Sequence, residues 1–174
     1  MVTAAEAENY HRKVLMSKIQ VYYGTGMGKT SAALGNAIRA ASNGKSVYII
    51  QFLKGQLNEE YFKRLEPEIK AFSFERSTHN FNELGPEEKK EEKQNILNGL
   101  GFAKKVLTTG ECDILVLDEF LGLSDEGIIS KDEMIDLISL GSDSVQLILT
   151  GTTMPEGLRE RCDQIFNIKD ESNQ

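Results

Sequence analysis

The chain has 174 residues, with 20 Lys plus Arg against 27 Asp plus Glu and a formal net charge of −7. That length predicts a single domain with its own core, and 40% hydrophobic with 27% charged residues is the composition of an ordinary globular protein. The acidic balance argues against a nucleic-acid partner, whose phosphates it would repel. Cys112 and Cys162 form no CxxC pair and lie far in sequence from His11 and His79, the two histidines, so a Cys/His zinc site is not expected and two isolated thiols fit a reducing compartment. There is no Trp.

In chain order, the opening MVTAAEAENYHRK is polar and helix-prone and lacks the apolar stretch of a signal peptide. No apolar run approaches the length needed to span a bilayer, and the expectation is a cytoplasmic protein with no membrane partner. Ile19–Tyr23 reads as a strand. It runs into Gly24-Thr25-Gly26-Met27-Gly28-Lys29-Thr30 and then into a helix over Lys29–Ala41. Strand, glycine loop and helix is the context of a phosphate site. Glycines let backbone N–H groups approach phosphate oxygens, and the helix N-terminus adds its positive dipole end. Lys29 brings a cation, and the Thr30 hydroxyl can join an Mg²⁺ shell. The usual first glycine of such a loop would fall at position 23, where Tyr23 stands, so the loop is effectively one residue tighter.

A second strand, 47–52, leads into Gln51-Phe52-Leu53-Lys54-Gly55, where Lys54 is either a phosphate neutraliser or a surface lysine. A helix over 58–65 and a strand over 71–74 follow. The polar segment 75–85, with Phe81 inside it, is long for a connection, and such loops are often functional. Pro86 suits the first position of a helix over 86–107, whose PEEKKEEK start reads as a solvated face. The apolar strand 114–117 ends in Asp118 and Glu119, one of which can hold Mg²⁺ at the carboxyl edge of the sheet. A helix over 131–140 and a strand over 145–149 come next. Thr150 and Gly151 beyond them form either a turn near a nucleotide or a plain turn. A helix over 155–161 and a strand over 165–168 complete the pattern. Apolar runs without alternation are those of a parallel sheet covered on both faces. The expected fold is therefore α/β, a mostly parallel central sheet flanked by helices, of the phosphate-loop, RecA-like kind. Residues 1–17 read as an N-terminal helical segment, 18–168 as the nucleotide-binding domain and 169–174 as a polar tail.

The segments GTGMGKTSAALGNAIRA, VYIIQFLKG, DILVLDE and LILTG together resemble the ATP:corrinoid adenosyltransferases of the phosphate-loop type. AALGNAIRA and QFLKG separate this resemblance from a generic nucleotide hydrolase. It implies an enzyme that transfers the 5′-deoxyadenosyl group of ATP to the cobalt(I) of a corrinoid, cobalamin or a precursor, and releases triphosphate. By the same resemblance Gly24, Thr25, Gly26, Met27, Gly28, Lys29, Thr30 and Ser31 bind the triphosphate, with Lys29, Thr30 and Glu119 as the catalytic set. Thr30, Glu119 and a supporting Asp118 hold Mg²⁺, with Glu119 nearest the metal. Arg39, a solvated helix cation by composition alone, matches a family arginine that helps hold the nucleotide. The family implies a homodimer whose N-terminal segment covers a neighbouring site, and an electron-donating reductase as a further partner. Relatives often carry a Phe-x-Trp element after the third strand, facing the corrin ring; here Phe81 is the aromatic in that loop. After LILTG, where the family usually has Arg, this chain has Thr152. The competing readings are another phosphate-loop ATPase or small kinase, and a catalytically silent nucleotide- or corrinoid-binding regulator.

Overall fold

A computed structural model describes Thr3, Glu6 and residues 18–56, 59–141 and 145–173. Apart from Thr3 and Glu6, the expected lid over 1–17 lies outside the described residues. The strands are β1 Ile19–Tyr23, β2 Val47–Gln51, β3 Ile69–Ser73, β4 Ile114–Asp118, β5 Gln146–Gly151 and β6 Gln164–Asn167. They form one sheet in the order β3-β2-β4-β5-β1-β6. Every neighbouring pair is parallel, so the sheet is wholly rather than mostly parallel. The helices are α1 Lys29–Ala41, α2 Glu59–Lys63, α3 Pro86–Thr109, α4 Gly122–Asp125 and α5 Lys131–Ser139.

The apolar strands sort their side chains between two cores because successive residues point to opposite faces. On β4, Leu115 and Leu117 enter one core and Ile114 and Val116 the other. On β5, Leu147 and Leu149 divide from Ile148 in the same way. The smaller core is closed by α1, whose Ala33, Ala37 and Ala40 recur at helical spacing. The larger is closed by α3 through Ile96, Leu100, Ala103, Val106 and Leu107. Small alanines let α1 lie close on the sheet, which draws the start of α1 against the strand ends.

Helix limits follow local chemistry. Pro86 opens α3, and Glu88 Oε2 accepts from the Gly85 amide at 2.9 Å. Gly110, at φ 67°, ends α3 two residues beyond the limit read from the sequence. Ser130 and Glu133 form a reciprocal capping box on α5, at 3.2 and 2.7 Å.

Three local expectations are corrected. The helix expected over 155–161 is a set of turns ending in a short 3₁₀ segment, Arg159–Arg161, because Gly157 at φ 83° takes a left-handed conformation that interrupts a right-handed helix. Strand β3 starts at Ile69, in register with Val47, and stops at Ser73. The charged Lys70 hid its first turn of pairing from a reading based on apolar runs. The short helix α4 was not anticipated.

Parallel strands bring Tyr23, Gln51, Asp118 and Gly151 to one edge of the sheet. At that edge a Cβ on Gly151 would lie 2.5 Å from the Cβ of Leu121, a contact with no room to relax. Gly151→Ala should therefore destabilise the protein by about 1–3 kcal/mol, read as a lowered urea midpoint.

Candidate functional site

The loop between β1 and α1 is held by its own chain as well as shaped for a ligand. The Gly24 amide donates to the carbonyls of Gly151 and Thr152 at 3.2 and 3.0 Å, and the Gly26 amide to that of Ile168 at 3.0 Å. A Cβ on Gly24 would sit 2.2 Å from the Ile168 carbonyl oxygen, and one on Gly26 2.8 Å from the Lys169 carbonyl carbon. These two glycines therefore make room for the chain leaving β6. Gly28 has a different task. At φ 102° it makes the turn into α1, and nothing lies within 4 Å of where its Cβ would be. The first intrahelical bond runs from the Ala32 amide to the Gly28 carbonyl at 2.8 Å. The amides of Lys29, Thr30 and Ser31 precede it and form the donor end of the helix, suited to an anion. Lys29 folds back on the loop, its Nζ 2.9 Å from the Gly26 carbonyl. Met27 stands at the loop tip, 93% exposed.

Asp118, 1% exposed, is the hub of the site. Its Oδ1 accepts from Thr30 Oγ1 at 2.9 Å and Thr150 Oγ1 at 2.7 Å. Its Oδ2 accepts from Lys54 Nζ at 2.7 Å and Gln51 Nε2 at 3.4 Å. Lys54 Nζ also donates to Thr30 Oγ1 at 2.7 Å. Glu119, at φ 59°, donates its amide to Thr150 Oγ1 at 2.8 Å, and its Oε1 lies 3.8 Å from Lys54 Nζ. The carboxylate that touches Thr30 is thus that of Asp118, with Glu119 one step further out and facing Lys54.

Two residues that the sequence left open now have places. Lys54 is in the cluster rather than a surface lysine, and Thr150 bridges Asp118 to the Glu119 backbone rather than closing a plain turn. Gln51, at the end of β2, was missed; its place at a strand terminus beside Lys54 was the available signal. Two expected residues are not brought to the cluster. Arg39 is exposed at the far end of α1, ten residues and roughly 15 Å along the axis from Lys29. Phe81 is 4% exposed inside the larger core, with Lys89 Nζ 5.5 Å from its ring centroid. Its ring has no open face for a planar ligand unless the 81–83 turn moves.

The turn that carries Lys54 is strained and tied down. Leu53 and Gly55 have φ of 65° and 73°. A Cβ on Gly55 would meet the carbonyl oxygens of His79 and Ser77 at 2.6 and 2.7 Å, so glycine is required there. The Phe81 amide donates to the Leu53 carbonyl at 2.9 Å, and the Gly55 amide to Glu75 Oε1 at 3.3 Å. Glu75 is 5% exposed and its Oε2 is buried without a hydrogen-bond partner. Burial raises its pKa to about 7; the Gly55 and Leu53 amides oppose the shift and the Glu92 charge adds to it. Beside this turn a cavity of about 890 Å³ is lined by Gln56, Phe62, Phe72, Ser73, Phe74 and Glu75 among others. Phe62 also lines the small cleft at Thr30 and Asp118, so this residue borders both spaces.

Among the described residues no group of three or more His, Cys, Asp or Glu side chains could hold a metal ion. Thr30 Oγ1 and the Asp118 carboxylate are instead hard oxygens suited to an Mg²⁺ that keeps waters and takes further ligands from phosphate. No helix among the described residues is long and apolar enough to cross a membrane.

Because the folded pKa of Glu75 lies above the ordinary carboxylate value, the folded state binds the extra proton between about 4.5 and about 7. The stability this residue contributes is full below that window and falls as pH rises through about 7. Across a pH series of urea unfolding, the parent should lose stability relative to Glu75→Gln over that window. Parallel profiles would contradict the assignment.

The sequence profile of the family described as ATP:corrinoid adenosyltransferase BtuR/CobO/CobP matches residues 16–173. The corrinoid adenosyltransferase of Escherichia coli K12 is 28% identical over 156 residues, covering 87% of this chain and 76% of that protein. The corrinoid adenosyltransferase CobA of Salmonella typhimurium LT2 is 26% identical over the same length and coverage. An uncharacterized Nostoc protein, all2391, is 28% identical over 168 residues, and this chain spans only 44% of its length. Among solved structures, the KaiC-like protein PH0186 of Pyrococcus horikoshii OT3 superimposes with a TM-score of 0.51 at 15% identity, covering 89% of this chain and 74% of that one; this likeness bears on the fold alone. With the profile extending over all six strands and the loops between them, the chain belongs to the ATP:corrinoid adenosyltransferase family BtuR/CobO/CobP.

Proposed function

We propose that this chain transfers the 5′-deoxyadenosyl group of ATP to the cobalt(I) of a corrinoid substrate and releases triphosphate. The observation that carries the reading is the direct contact of Thr30, on the phosphate loop, with Asp118, at the end of the acidic strand, in a member of this family. In the reaction the cobalt(I) electron pair forms the bond to C5′. The C5′–O bond breaks, and its electrons leave on the triphosphate. No protein base is required, because no proton is removed from the nucleophile. The protein's task is to hold C5′ exposed and stabilise charge on the leaving chain.

Gly24 to Ser31 frame the triphosphate, with the amides of Lys29, Thr30 and Ser31 as donors and the Lys29 ammonium free to turn from the Gly26 carbonyl to phosphate. Thr30 and Asp118 hold Mg²⁺, with Glu119 beside them, and Mg²⁺ when bound neutralises the departing triphosphate. The cavity lined by Phe62 is the space we assign to the corrinoid, since its Phe62, Phe72 and Phe74 rings can meet a macrocycle while Gln56, Ser73, Lys63 and the carboxyls of Glu60, Glu66 and Glu75 can meet its amide arms. We further infer a cytoplasmic homodimer in which Arg39 and the N-terminal segment serve a site through the assembly, with a reductase supplying cobalt(I).

Incubation with ATP, Mg²⁺ and chemically reduced cobalamin should give adenosylcobalamin with one triphosphate per turnover. ADP and phosphate formed without corrinoid would instead mark an ATPase or kinase, and nucleotide binding with neither product a silent regulator. Lys29→Ala should lower turnover by about 10²–10³-fold, the loss expected when one donor to developing charge is removed. A near-normal rate would remove Lys29 from the site.

A further inference from the structure

The ammonium of Lys54 stands where a cation bridging Thr30 and Asp118 would be needed. Its Nζ is 2.7 Å from Thr30 Oγ1 and 2.7 Å from Asp118 Oδ2, so it bridges the same two side chains that would hold Mg²⁺. The carboxylate it neutralises is buried, while Lys54's own side chain remains 31% exposed and has a way out. The backbone beneath it is fixed: Leu53 and Gly55 hold left-handed conformations, with Phe81, Glu75 and the 77–79 carbonyls against them. A buried carboxylate without a cation is costly, and a lysine on a fixed turn supplies that cation when no metal does.

We propose that Lys54 is a resident counter-cation. It holds Thr30 and Asp118 together in the nucleotide-free protein, and a divalent ion gains these two ligands only by displacing it. The Glu119 carboxylate, 3.8 Å from Nζ, is the next acceptor for the displaced ammonium. This assigns Glu119 a second part, as the parking place for Lys54, and makes metal binding depend on nucleotide phosphates that share the cost of displacement. The inference rests on the Mg²⁺ site of the proposed function.

The test is direct metal binding to nucleotide-free protein, by the electron paramagnetic resonance signal of free Mn²⁺. If the lysine-bound arrangement is ~90% populated, it weakens apparent metal affinity about tenfold. Lys54→Met should therefore bind Mn²⁺ about tenfold or more tighter than the parent. Lys54→Arg should stay as weak as the parent, and the double variant K54M/D118N should lose the gain. Lys54→Gln serves the same comparison if Lys54→Met does not fold. A neutral variant that binds Mn²⁺ no more tightly than the parent, or a gain that survives Asp118→Asn, would overturn the proposal. Calorimetry of ATP binding to the parent with and without Mg²⁺ is the separate control. A failure there removes the nucleotide site, whereas the Mn²⁺ comparison alone decides the place of Lys54.

Discussion

The carboxylate of Asp118 is fully enclosed and fully hydrogen-bonded, and the edge of the sheet is organised around meeting its needs. A buried carboxylate demands partners for its lone pairs and a cation for its charge. Thr30 comes from the phosphate loop, Gln51 and Lys54 from the end of β2, and Thr150 from β5. Three connections distant in sequence are therefore tied to one group at the end of β4. The order β2-β4-β5-β1 makes this possible, because β4 lies between the strands that supply Lys54 and Thr150, with β1 one place beyond.

The same constraint explains why the surroundings are closely packed. Alanines on α1 set the helix close to the sheet, so that the Thr30 hydroxyl reaches across to Asp118. Gly24 and Gly26 allow the chain after β6 to pass against the loop. Gly151 admits Leu121 beneath it. Missing side chains at these positions are matters of packing, and of the three glycines in the β1–α1 loop only Gly28 has open surroundings. A loop whose glycines the sequence assigns to phosphate thus serves as a structural seam at Gly24 and Gly26 and stays open at Gly28.

The layer beneath Lys54 is less settled electrostatically. Glu75 supports the Lys54 turn through the Gly55 amide, yet one of its oxygens has no partner and burial favours its protonated form near neutral pH. The turn that presents a cation to Asp118 is thus braced by a carboxyl group whose charge changes near pH 7. The cavity beside it shares that wall through Glu75 and Gln56, so cavity, supporting carboxyl and cation-bearing turn form one continuous structure.

The sequence by itself determined the strand–loop–helix unit, the acidic strand end and the alternation of strands and helices, because each is written in contiguous residues: GTGMGKT, DILVLDE, and apolar runs of strand length. It also carried the family through AALGNAIRA and QFLKG. It did not show that 155–161 is no helix, since the left-handed Gly157 is a conformational fact rather than a pattern. Only the tertiary structure decided which carboxylate meets Thr30, that Lys54 lies between them, that Phe81 is core, and that Arg39 is at the remote end of its helix. Each of these depends on side chains 24 to 88 residues apart or on the far end of an element, and the parallel sheet, by gathering its strand ends at one edge, is what brings such distant residues within hydrogen-bond reach.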